Sequence, residues 1–332
     1  MLDLGPTAIV AAAIAPALLV LWLVVAADSR PEPPRMVWTA FILGASSIFA
    51  LRYILAFVQP HLAVPHDPWL ALDENALLLV GIPEESLKIF IIAAIAFRSR
   101  AFDEPMDGVV YGAAVGLGFA ANENLRYLTH THEWETLAVV RGLLTVPFHA
   151  ALGVIAGAYI ASARFGGALG AHRRGRWVYA RLILSAWLIP VVLHTLYDIP
   201  LLALRKDLEE GGVTRGVLQA AGLVVGFGTI AMAVRLALRV AGRQKAWPRN
   251  SRTPAAAWRS IWGWLVVGAG VGFAGVVLVI SAVRHWDVVA GSGPAMLSIG
   301  GVLVALAIAI YGWARRYLFD ATLTRQHIEM ET

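Results

Sequence analysis

The sequence predicts an all-α fold, a polytopic transmembrane helical bundle of about nine spans. Of its 332 residues, 58% are hydrophobic and 15% charged, with a mean hydropathy of +0.68, far more apolar than an ordinary soluble domain. Several stretches run about 20 residues without a charge, the length a helix needs to cross a ~30 Å hydrocarbon layer. The alternating pattern of a transmembrane β-barrel is absent. Cysteine is absent as well, which excludes disulfides, thiolate metal ligands and a cysteine nucleophile and leaves carboxylates, imidazoles and hydroxyls. The net charge of +5 sits in short loops between apolar spans, where topology accounts for it, so the expected surroundings are a lipid bilayer and no nucleic acid.

The first span, Thr7 to Ala27, follows six residues without a positive charge and reads as a retained helix rather than a cleaved signal. The second, Met36 to Gln59, is also nearly free of interior charge. Spans three to six, Ala76 to Phe97, Asp107 to Leu128, Thr136 to Ala163 and Tyr179 to Leu204, carry ionisable groups inside them. Span seven, Gly216 to Leu238, precedes a basic linker, Arg239 to Arg259, and spans eight and nine, Ala257 to Val283 and Ala295 to Ala314, close the chain. This divides the chain into amino-terminal helices (1–69), a four-helix core (70–204) and carboxyl-terminal helices with a basic linker (205–332). Eighteen of the 27 Lys and Arg residues fall in the odd-numbered loops and the carboxyl tail, and six on the other side. The positive-inside bias then places the amino terminus outside and the carboxyl terminus inside a cell membrane.

The core spans hold the candidate chemistry. They carry Glu84, Glu85 and Lys88 in Gly81-Ile-Pro-Glu-Glu-Ser-Leu-Lys88, Glu123 and Asn124 at the end of Gly118-Phe-Ala-Ala-Asn-Glu-Asn124, His149 after Pro147-Phe148, and His194 with Asp198 in His194-Thr-Leu-Tyr-Asp198. A charge at mid-bilayer costs roughly 2.5 to 3.5 kcal/mol on insertion scales, so each such group needs a polar partner or a water-filled cavity. A lone membrane histidine is more often a helix–helix hydrogen-bond donor than a ligand, and Asn124 alone reads as helix glue. Four successive helices each contributing an acid or imidazole at similar depth instead point to a functional site.

Glu84 and Lys88, and likewise His194 and Asp198, are four apart and share a helix face. Asp198 is placed to accept from an imidazole N–H of His194 and fix its tautomer. Pro83, Pro147 and Pro190 stand just before these groups and free backbone carbonyls there. Gly108, Gly112 and Gly116, followed by Ala120, form a small-residue stripe that invites close helix packing and leads to Glu123. Counting about 1.5 Å per residue from the span ends puts Glu84, Glu123, His194 and Asp198 within about 5 to 15 Å of the outer surface.

Several known signatures are not met. H-E-x-x-H fails because His132-Glu133 is followed by Trp134-Glu135-Thr136. For a serine protease's G-x-S-G, Gly44-Ala-Ser-Ser47 lies on a helix without a histidine partner nearby, and Tyr197-Asp198 has no G-x-G-D partner.

The combination that remains resembles the PrsW family, within the wider group of CAAX prenyl proteases and bacteriocin-processing enzymes. The resemblance rests on Pro83-Glu-Glu-Ser-Leu-Lys88, on Met106 through Asn124, on His149 and on His194-x-x-x-Asp198, and covers about Leu70 to Leu204. It implies an endopeptidase acting on a single-pass membrane protein substrate, such as an anti-sigma factor, at an extracytoplasmic site. The sequence departs from the wider group at two places. Lys88 lies three residues after Glu85 where Arg would lie four after, and Glu123 stands where the wider group has His.

The expected mechanism is glutamate-driven hydrolysis, with Glu84 or Glu85 taking a proton from water and an imidazole steadying the oxyanion or protonating the leaving amine. Glu123, His149 and His194 form a two-histidine, one-glutamate set of the kind that binds catalytic zinc, with Asp198 behind His194. A metal-free version keeps the same residues as hydrogen-bonding groups. Two readings of other classes stand beside it: a proton- or ion-coupled transporter using the buried groups as a relay, and a non-catalytic membrane scaffold.

Overall fold

The computed structural model describes residues 5–59, 68–99, 101–165, 176–205 and 215–244, all within a compact unit spanning 1–250. Among them every regular element is a helix. Predicted spans eight and nine and most of the basic linker lie outside the described residues. The seven earlier spans correspond to α1 (Gly5–Ala27), α2 (Pro34–Val58), a path of α3 (Pro68–Glu74) and α4 (Ile82–Arg98), α5 (Pro105–Leu128), a path of α6 (Trp134–Val140) and α7 (Val146–Phe165), α8 (Arg176–Arg205) and α9 (Arg215–Gln244). Five of these paths are long and apolar enough to cross a membrane: α1, α2, α6 through α7, α8 and α9. The other two are those that carry Glu84, Glu85, Lys88 and Glu123.

Helix starts follow local chemistry. Pro34 and Pro105 each occupy the first turn, where a missing N–H costs nothing. At α5 the Asp107 carboxylate accepts from the backbone N–H groups of Glu104, at 2.7 Å, and Asp103, at 2.6 Å, which satisfies donors the helix leaves open. Within two paths the helix widens to π geometry, at Asn75–Gly81 ahead of α4 and at Arg141–Thr145 ahead of α7. Such bulges recur at functional sites because they re-aim the residues beyond them.

The core is centred on α5, whose residues from Pro105 to Ala121 are all buried. It lies against α7, α2 and α1, while α8 and α9 pack on α7. The small-residue stripe explains the α5–α7 contact. A Cβ on Gly108 would collide with the Gly157 carbonyl oxygen, one on Gly112 with that of Gly153, and one on Gly116 with that of His149. The two helices thus run antiparallel in near backbone contact, the packing that small residues permit. Gly81 admits α8 in the same way, since a Cβ there would meet the Thr195 hydroxyl. These close approaches bring His149 and His194 to the first turns of α4.

Candidate active site

The first two turns of α4 present Glu84, Glu85 and Lys88 to one face, all buried. The Lys88 ammonium donates to Glu85 Oε1 at 2.7 Å and to Glu84 Oε2 at 3.4 Å. It lies 3.3 Å from His149 Nδ1 and 3.9 Å from the centre of the Phe119 ring. An ammonium has no lone pair, so His149 Nδ1 is the acceptor. The other ring nitrogen, Nε2, then carries the proton and donates to Glu123 Oε2 at 3.0 Å.

His194 sits across the cluster, its ring 5.1 Å from that of His149 in an edge-on arrangement. Its Nδ1 is 2.7 Å from Glu85 Oε1, and because an ionised carboxylate only accepts, the imidazole donates. Its Nε2 faces Asp198 Oδ2 at 3.6 Å and Glu84 Oε2 at 3.9 Å, ion-pair rather than hydrogen-bond separations. The carboxylate that orients His194 is therefore Glu85, whereas the spacing alone pointed to Asp198.

The two glutamates are held differently. One oxygen of Glu85 receives both Lys88 and His194, and the residue is 1% exposed. Among the described residues Glu84 has the longer Lys88 contact at 3.4 Å and His194 Nε2 at 3.9 Å, and it is 7% exposed. Glu123 and Asp198 are half-buried beside the sealed centre.

The structure also brings in groups that the sequence did not single out for the site. Arg141 donates to Glu123 Oε2 and to Asn124 Oδ1, each at 2.7 Å, and lies 4.1 Å from the Tyr127 ring. Asn124 is thus a partner of this guanidinium. Phe148 stacks on Tyr197 at 4.0 Å and meets both histidines edge-on, giving the cluster an aromatic wall. A lone arginine at the head of an apolar span reads as a topological signal, and only the π turn that starts at Arg141 shows why it turns inward.

One ligand atom from each of Glu84, Glu85, His149 and His194 lies within 4.8 Å of the others. Two imidazoles and two carboxylates suit a divalent ion such as zinc. The chemistry of the set agrees, because His149 turns a lone pair inward while Glu123 holds its outer nitrogen, the arrangement in which a carboxylate orients a ligating imidazole. The sequence placed Glu123 among the ligands themselves; here it stands behind His149, bound to Arg141.

Fold and site define a multi-pass membrane protein with a buried glutamate–histidine–lysine centre between its helices. Residues 32–234 match the family model described as PrsW family intramembrane metalloprotease. The chain is 37% identical over 198 residues to the protease PrsW of Bacillus subtilis, covering 59% of this chain and 84% of that one. Against protease PrsW of Geobacillus kaustophilus it is 34% identical over 176 residues, 53% of this chain and 71% of the relative. Against that of Oceanobacillus iheyensis it is 29% identical over 191 residues, 57% and 81%. No solved structure matches the chain. The chain belongs to the PrsW family, a family of multi-pass cell-membrane peptidases.

Proposed function

We propose that the chain is a site-1-type endopeptidase that cuts a single-pass membrane protein, such as an anti-sigma factor, near the extracytoplasmic face, using Glu84, Glu85, His149 and His194. The observation that carries this reading is the convergence of two glutamates and two histidines from three helices on one buried point. The positive-inside bias supports an outward-facing site, and the printed name of the relatives supports proteolysis.

Glu84 is the general base. It is the less engaged of the two carboxylates, so it is the one free to take a proton from water as the oxygen attacks the scissile carbonyl. Glu85 is the anchor that holds Lys88 and His194 in place. His194 Nε2, directed between Glu84 and Asp198, is placed to hand a proton to the leaving amine, and Asp198 steadies the charge that the ring acquires. His149 is fixed by Glu123, itself pinned by Arg141. When a divalent metal is bound, Glu85, His149 and His194 would hold it, leaving Glu84 as the base and taking His194 out of proton transfer, and the metal would supply Lewis-acid polarisation of the carbonyl and of water. Burial of the centre keeps bulk water out and strengthens each of these electrostatic contacts.

The test is co-expression with candidate single-pass membrane proteins, comparing the wild type with Glu84→Gln and His194→Ala. Fragments produced only by the wild type are expected. Identical fragments from all three would sink the assignment. A proteoliposome ion flux lost in the same variants, without cleavage, would favour the transporter reading instead.

A further inference from the structure

We infer that Lys88 is the resident cation of the Glu/His centre and that a divalent metal binds there only by displacing its ammonium. This rests on reading the cluster as a metal-capable peptidase centre and adds what governs metal entry. His149 offers the centre a single lone pair, on Nδ1, because its Nε2 is committed to Glu123. Lys88 Nζ lies 3.3 Å from that same lone pair. It also takes Glu85 Oε1 at 2.7 Å and reaches Glu84 Oε2 at 3.4 Å. Three of the four groups able to hold a metal are therefore already turned toward one positive charge.

Lys88 is 1% exposed, and the Phe119 ring lies 3.9 Å from its ammonium as a further support. Two cations a few ångströms apart in so dry a place repel strongly, and each would leave the other short of lone pairs. The centre accepts one at a time. With Lys88 in place one of the two glutamate charges is offset and the helices stay assembled without metal. With metal in place the flexible four-carbon stem has to carry the ammonium away from His149. Lys88 thus lowers metal affinity and makes binding reversible, the opposite of what a supporting residue does.

Zinc binding to purified full-length protein tests this without reference to cleavage. A fluorescent chelator competes for zinc against wild type and Lys88→Met, and thermal unfolding is followed with and without the metal. Lys88→Met is expected to bind zinc at least about tenfold more tightly, to be less stable than wild type without zinc, and to gain more stability from zinc than wild type does. Equal or weaker binding by Lys88→Met, or no binding by either protein, overturns the inference. Lys88→Gln, whose amide can still reach Glu85, takes the place of the methionine variant if that one does not fold. In isotope-labelled wild type at saturating zinc, the Lys88 ammonium resonance is expected to leave its metal-free position, and an unmoved resonance beside bound zinc also overturns the inference. Failure here leaves the peptidase reading standing on its own co-expression assay.

Discussion

Among the described residues two buried polar clusters stand out, and they differ in kind. One joins Glu84, Glu85, Lys88, His149 and His194. The other gathers Asp28, Glu32, Glu104 and Asp107, all buried, where the α1–α2 and α4–α5 connections meet the end of α9. In the second cluster the donors are already spent on structure. Gln244 donates to Asp28 at 2.8 Å and to Glu104, and accepts from Ser29 at 2.7 Å. Arg30 pairs with Glu104 at 2.6 Å, and Tyr111 donates to Glu32. Both clusters hide acids, but among the described residues only the first adds imidazoles and converges its ligand atoms. Burial of charge thus marks where a helix bundle is tied together as readily as where it reacts; donor type and convergence separate the two.

The sharpest way to break this distinction is to neutralise one acid in each. Glu84→Gln is expected to lower cleavage about 100- to 10,000-fold, the range for loss of a general base, at near-unchanged thermal stability. Glu104→Gln keeps the Gln244 contact and is expected to leave cleavage per folded molecule unchanged. A loss of cleavage in Glu104→Gln equal to that in Glu84→Gln would remove the contrast.

A smaller effect is expected one layer out. Glu123→Gln and Arg141→Met leave the ligand atoms of the centre in place but release the Nε2 side of His149. The expected loss is about 10- to 100-fold in cleavage or zinc affinity, as for groups that orient a ligating imidazole. The double variant, measured in the same assay, is expected to lose little more than either single one, because both act through His149.

Much of this was legible in the sequence. The apolar stretches located the helical paths of the described residues, five of them long and apolar enough to cross a membrane, and Gly108, Gly112 and Gly116 marked a face for close helix packing, which α7 fills. Glu84, Glu85, His149 and His194 stood out because charge is costly there. What was not legible depends on three-dimensional approach. The i,i+4 spacing of His194 and Asp198 suggested a pair, yet Gly81 lets α8 come so close that Glu85, on another helix, takes the imidazole first. The two π turns leave no mark in hydropathy. The Asp28 cluster joins residues more than 200 positions apart, beyond the reach of any local pattern.

The glycine stripe yields the third prediction, on stability rather than rate. Gly112→Leu forces a side chain into the Gly153 backbone with nowhere to move. Overpacking of this kind costs about 1 to 3 kcal/mol, so a lower thermal midpoint in detergent is expected. Gly228→Leu is the control, since among the described residues a Cβ there meets nothing within 4 Å, and it is expected to leave the midpoint unchanged.

The smallest effect concerns the second cluster and its pH dependence. Burial pushes the Asp28 carboxyl up to about 7, nearby Glu104 and Glu32 add to the shift, and the hydrogen bonds from Gln244 and the Arg30 backbone oppose it. Glu32 and Glu104 are raised in the same direction, again chiefly by burial. An acid whose pKa is higher folded than unfolded holds a proton in the folded state that the unfolded chain, near 3.8, has lost. Between those two values the folded state is therefore stabilised as pH falls, and that stabilisation disappears as pH rises through about 7. Thermal midpoints are expected to be higher at about pH 5.5 than at pH 8. Asp28→Asn keeps the acceptor for Gln244 and Arg30 and puts a neutral amide where Asp28 Oδ2 has no hydrogen-bond partner among the described residues. It is expected to flatten part of the slope and leave the remainder to Glu32 and Glu104. A slope of opposite sign in the wild type would mean that Asp28 is ionised in the folded protein and that this cluster binds a cation after all.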